Sequence, residues 1–156
     1  MKQKILLIFG LFTISLFGQF KAEKNGFTIK TTDMLDEKKN MTIKAINNTL
    51  IIYNNSEEQP TWLRFGDYSI HIKNGYYEGL LVNGEIYTPK YITKLVFREK
   101  NSYYILLSDK FFVKKFLQAI VQGRHICIDV GNIYIFDFDE YILNIIESDF
   151  YKEIMK

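Results

Sequence analysis

Apolar and polar positions alternate with a period of two along most of the chain, in short runs separated by turn-forming pairs. Such runs read as half-buried strands, because successive side chains of a strand point to opposite faces. They fall at 26–31, 41–46, 49–54, 62–65, 68–73, 76–82, 85–87, 91–98 and 102–107. Asn74-Gly75 and Asn83-Gly84 each sit between two of them. Asn-Gly supplies the positive φ angles of a type I′ turn and is the strongest local hairpin signal. Asn47-Asn48 and Lys100-Asn101 join two further pairs.

The period then changes. Phe112, Val113, Phe116, Leu117, Ile120 and Val121 recur at helical spacing, with Ser108 or Asp109 placed to cap the start and Gly123 to end it. A further hairpin follows, 125–130 and 133–138 around Gly131-Asn132. Asp137-Phe138-Asp139-Glu140 has the form of a capping box, and Tyr141, Ile142, Ile145, Ile146 and Phe150 mark one face of a last helix. Many strands and two late amphipathic helices predict an α+β domain. It is mostly antiparallel β, a meander or sandwich-like sheet, with the helices near the C-terminus.

The first eighteen residues follow a different grammar. Lys2 and Lys4 precede an unbroken apolar run from Ile5 to Gly18, the order of a secretory signal peptide, and the run is shorter than the ~20 residues of a membrane span. Cleavage is expected after Gly18, with Ala22 as the second choice, leaving one β-rich domain from 19 to 156 and no transmembrane span. Loss of Lys2 and Lys4 takes the formal charge from +2 to zero. A neutral chain lacks the phosphate-neutralising charge that dominates nucleic-acid affinity, so no nucleic acid is expected as a partner. Cys127 is the one cysteine, so neither an internal disulfide nor a lipidated cysteine near the cleavage region is available.

The stretch 104–146 runs strand, capped helix ending at Gly123, strand, turn, strand, short helix, through Phe116, Ala119, Ile126, Ile128, Tyr134, Phe136, Phe138, Tyr141 and Ile145. That layout resembles the C-terminal part of the invasion-associated locus B proteins. The resemblance implies an exported bacterial protein with a β-sandwich fold. Members of that family usually carry paired cysteines, which have no counterpart here, and none of the matching positions is a chemical group.

Candidate chemistry is sparse. His125, Cys127 and Asp129 alternate on one strand; a two-residue turn at Gly131-Asn132 sets them opposite Phe138, Phe136 and Tyr134, which reads as core, with an inert thiol. The same hairpin logic pairs His71 with Glu78 across Asn74-Gly75. Asp137, Asp139 and Glu140 suit the start of a helix, and no calcium-loop or phosphate-loop spacing is present. No catalytic residue, metal ligand or cofactor is therefore expected. Trp62, Tyr76, Tyr77 and Tyr91 lie on or beside the meander strands, where outward rings suit a binding surface. The expectation is an exported, non-enzymatic periplasmic or envelope protein that binds another protein or a surface ligand. The alternatives are a small secreted hydrolase-like enzyme using His71 or the Cys127 strand, and a secreted effector or immunity protein.

Overall fold

A computed structural model describes residues 19–156, so the segment 1–18, expected to be a signal peptide, lies outside the described residues. Within the described residues, twelve strands form two six-stranded antiparallel sheets around one apolar core. The first sheet holds β1 (Gln19–Glu23), β2 (Gly26–Thr32), β3 (Asn40–Ile46), β4 (Thr49–Asn54), β10 (Ser102–Leu107) and β9 (Val96–Glu99), in that order. The second has the order β12 (Ile133–Phe136), β11 (Ile126–Asp129), β5 (Trp62–Phe65), β6 (Tyr68–Lys73), β7 (Tyr76–Val82) and β8 (Glu85–Tyr87). The predicted α+β class, mostly antiparallel β, is what the chain adopts.

Turn chemistry explains the local hairpins. Asn74 and Gly75 have φ of 53° and 86°, and Asn83 and Gly84 have 51° and 82°, both as a type I′ turn requires. Alternation explains the faces. On β3 and β4, Met41, Ile43, Ala45, Leu50 and Ile52 are buried while their neighbours face outward. Helix α1 (Lys110–Val121) carries Val113, Phe116, Leu117 and Ile120 into the core and packs on β4 of one sheet and β5 of the other. Gly123, at φ 77°, ends it: Gly123 N–H bonds the Ile120 carbonyl and Arg124 N–H the Ala119 carbonyl, each at 2.9 Å, a Schellman motif.

Two seams tie the sheets together. Asp33, just past β2, bridges Phe136 on β12, and Tyr76 on β7 bridges Lys94 ahead of β9. At the first seam the buried Asp33 carboxylate accepts N–H bonds from Ile135 at 2.6 Å, Leu35 at 2.9 Å and Asp36 at 2.8 Å.

Several elements differ from expectation. β1 adds a strand upstream of 26–31, joined through Lys24 and Asn25, with Asn25 at φ 64°. The predicted strand 91–98 forms only from Val96, because Tyr91–Lys94 belong to an irregular connection. β11 and β12 are shorter than 125–130 and 133–138. The single last helix is instead a 3₁₀ turn (Asp139–Tyr141), α2 (Ile142–Glu147) and α3 (Asp149–Ile154). Ser148 breaks it: its backbone is extended and its hydroxyl donates to the Ile145 carbonyl at 2.6 Å while accepting from Tyr151 N–H at 3.2 Å. The capping box does not form either, since Asp137 Oδ1 accepts from Asp139 N–H at 2.7 Å and Phe138 precedes the turn without a side-chain cap.

Candidate functional site

The four aromatic residues singled out in the sequence divide between two places. Trp62, half-buried on β5, lies between His71 of β6 and Asp129 of β11 on the outer face of the second sheet. Tyr76 is exposed and shares that outer parity. Tyr77 turns the other way, toward α1, and with Tyr91 lines a cleft of about 420 Å³.

The cleft is built by a bulge and a clamp. The pairing of β6 with β7 slips between His71 and Ile72, so His71 faces Gly79 and Glu78 is the extra residue. This corrects the expected His71–Glu78 pair. It also has a structural effect: both Tyr77 and Leu80, three apart, reach the inner side, which strict alternation forbids. The connection 88–95 is then fastened to the β6–β7 hairpin. Tyr77 N–H donates to the Thr93 carbonyl at 2.8 Å, and Leu95 and Val96 N–H donate to the Gly75 carbonyl at 2.8 and 3.0 Å. Just ahead of these anchors the connection is open to solvent, with Tyr91 81% and Ile92 85% exposed.

The opposite wall is the start of α1. Asp109 caps the helix, its Oδ1 accepting from Phe111 N–H at 2.8 Å and Phe112 N–H at 3.4 Å. Phe112 meets Tyr77 edge-on, with ring centroids 5.5 Å apart. Burial, and then the negative charge of Asp109, push the Tyr77 hydroxyl above its ordinary pKa. Leu95 and Leu107, both buried, form the floor. Sequence reasoning placed Asp109 as a cap and Phe112 on the apolar face of the helix, and gave Lys90 no role in a binding site. No local signal brings these three together with Tyr77 and Tyr91; only the crossing from β8 to β9 does.

The Cys127 strand also needs correction. Asp129 Oδ1 accepts from Gly131 N–H at 3.0 Å, an Asx turn that draws Val130 into the loop. The register therefore moves by one: Cys127 faces Ile135 and Arg64, and Asp129 faces Ile133 and Trp62. Ile126 and Ile128 take the core positions, while Cys127 and Asp129 lie half-buried on the outer face and His125 is exposed. Burial raises the Cys127 thiol above its usual pKa and outweighs the lowering by Arg64. The neutral thiol expected in the core persists on the outer face, for the same desolvation reason.

Asp137, Asp139 and His125 approach one another at the end of α1. Partial desolvation, followed by the neighbouring Asp137 carboxylate, raises Asp139, and His125 opposes this. Among the described residues no group of three His, Cys, Asp or Glu side chains is arranged to hold a metal, and no helix is long and apolar enough to cross a membrane. No family model, no curated protein sequence and no solved structure matches the chain.

Proposed function

We propose that this chain is an exported, non-enzymatic binding protein of the bacterial envelope whose ligand enters the cleft between the Tyr91 connection and the start of α1. The carrying observation is the cleft itself, where exposed Tyr91 stands across from Tyr77 and Phe112 over an apolar floor. Its volume falls within the range of roughly 300–1,000 Å³ common for ligand sites. The N-terminal segment of Lys2, Lys4 and the apolar run to Gly18, and the resemblance of 104–146 to an exported family, support export.

A hydrolase reading finds less to stand on. Hydrolysis of a glycosidic bond generally needs two carboxyl groups flanking it, and Asp109 is the one carboxylate among the residues lining the cleft. His71 has Gly79 and Trp62 as cross-strand neighbours, with no nucleophile among them.

The test is co-sedimentation of residues 19–156 with envelopes of the source organism. Wild type and Trp62→Ala are expected to be retained, and Tyr91→Ala to be lost to the supernatant. Equal retention of Tyr91→Ala would remove the cleft from the proposal. N-terminal sequencing of the exported form checks the rest, with Gln19 expected as the first residue.

A further inference from the structure

The polar groups of the cleft indicate what kind of ligand it takes, an inference that rests on the binding reading above. The backbone groups at its base are already paired with each other, Tyr77 N–H with Thr93 and Leu95 N–H with Gly75. An extended peptide would find few main-chain partners there. The side chains offer a different set. Asp109 commits Oδ1 to the helix, and no donor among the described residues bonds Oδ2. The hydroxyl-bearing residues Tyr77, Tyr91, Thr93 and Ser108 line the same cleft, together with Lys90.

A purely apolar ligand would leave these groups unpaired, at about 1–3 kcal/mol for each one desolvated. An anionic ligand would meet the charge of Asp109. A sugar ring satisfies both halves of the lining, since its C–H face packs on aromatic rings while its hydroxyls both donate to a carboxylate and exchange bonds with other hydroxyls. Tyr91, Tyr77 and Phe112 supply the rings, and Asp109 Oδ2 supplies an acceptor for two neighbouring hydroxyls.

We infer that the cleft binds a pyranose unit of a glycan, with its ring face on the Tyr91 side and its hydroxyls on Asp109. Without a second carboxylate the glycosidic bond is held intact. The sugar is therefore a ligand and not a substrate.

The experiment is a titration of ¹⁵N-labelled 19–156 with two separate uncharged probes, the trimers of N-acetylglucosamine and glucose (maltotriose), to about 10 mM, where even millimolar binding saturates. At least one trimer is expected to shift the amide signals of Tyr77, Tyr91 and Phe112. Asp109→Asn keeps a good helix cap but replaces the acceptor Oδ2, so it is expected to weaken that binding about tenfold or more. Tyr91→Ala, at an exposed position, is expected to do the same without altering the fold, and Tyr76→Ala on the other face is expected to bind as wild type. No shift with any trimer, or shifts that persist in Asp109→Asn, would overturn the inference. Periodate and protease treatment of the envelopes separates the two claims. Cleft-dependent retention that survives periodate and is lost to protease would refute the sugar and leave the binding reading in place.

Discussion

Replacing Asp33 by alanine should unfasten one of the two seams between the sheets. The carboxylate is 8% exposed and holds three backbone N–H groups, those of Leu35, Asp36 and Ile135. Leu35 and Asp36 are exposed, so water takes over their bonds in the variant, at a net cost of about 0.5–1 kcal/mol each. Ile135 is half-buried at the edge of the second sheet and its bond, at 2.6 Å, is the shortest of the three. A bond from a charged acceptor at such a site is worth about 1.5–3 kcal/mol. The expected loss is therefore about 2.5–5 kcal/mol, a large share of the 5–15 kcal/mol typical of a domain. Asp33→Asn keeps one acceptor oxygen and should lose about half as much. Met34 N–H still reaches the Ile135 carbonyl at 2.9 Å, so the difference reports the side chain alone. Urea unfolding gives the free energy, and hydrogen exchange locates it. The Ile135 amide should exchange quickly in Asp33→Ala while amides of β3 keep their order of protection. A loss below about 1 kcal/mol with Ile135 still protected would refute the reasoning.

Three other outcomes are expected from the packing and the ionisable groups. Gly26→Ala places a methyl on the Ala45 carbonyl oxygen across the β2–β3 pair, so it should cost at least about 3 kcal/mol in urea unfolding; a wild-type midpoint would contradict the register. Burial, followed by the charge of Glu140, raises the buried Tyr141 hydroxyl from 10.0 to about 12. Its contribution is complete below pH 10, where folded and unfolded chains both hold the proton, and is lost as pH rises from about 10 to 12, where only the folded chain does. That fall should approach roughly 1–2 kcal/mol and be absent from Tyr141→Phe, whereas identical pH profiles for the two proteins would count against it. Cys127 should react with a thiol reagent more slowly in the folded chain than in urea at pH 8, and equal rates would show that its raised pKa does not govern access to the thiolate.

The features legible in the sequence were local. The Asn-Gly pairs announce turns because few residues tolerate positive φ, and α1 announces itself by its spacing, its Asp109 cap and its Gly123 stop. The pairings of β10 with β4 and β11 with β5 join residues 49 to 67 positions apart, and alternation is silent about partners at that range. Register failed at two points for a shared reason, one extra residue. At Glu78 it enters as a bulge, and at Val130 it is drawn into the loop by the Asp129 carboxylate. Each shift reverses the face of the residues beyond it, so His71 lost its expected partner and Cys127 left its expected core position. The aromatic row of Phe97, Tyr104 and Tyr53 on the outer face of the first sheet was as hidden in the sequence as the cleft. Its rings come from three strands and meet only after β10 is inserted beside β4, Phe97 stacked on Tyr104 at 5.5 Å and Tyr53 tilted against Tyr104 at 5.4 Å.

The position of the cleft is set by the chain path. After β8 the chain must leave the second sheet and return to the first, and the connection 88–95 makes that crossing. After β10 it leaves again through α1, whose start lies against the same crossing. The cleft is thus the gap between the two departures. Hairpin, connection and helix each provide a wall, and backbone bonds at Thr93 and Leu95 fix the base. Tyr91 and Ile92 remain outside those bonds, with most of their surface in solvent and no core function to explain it. Tyr91 and Ile92 offer apolar surface that a ligand can cover while the anchored base stays unmoved, and a flat sugar face of one ring's width has the dimensions to cover the Tyr91 ring.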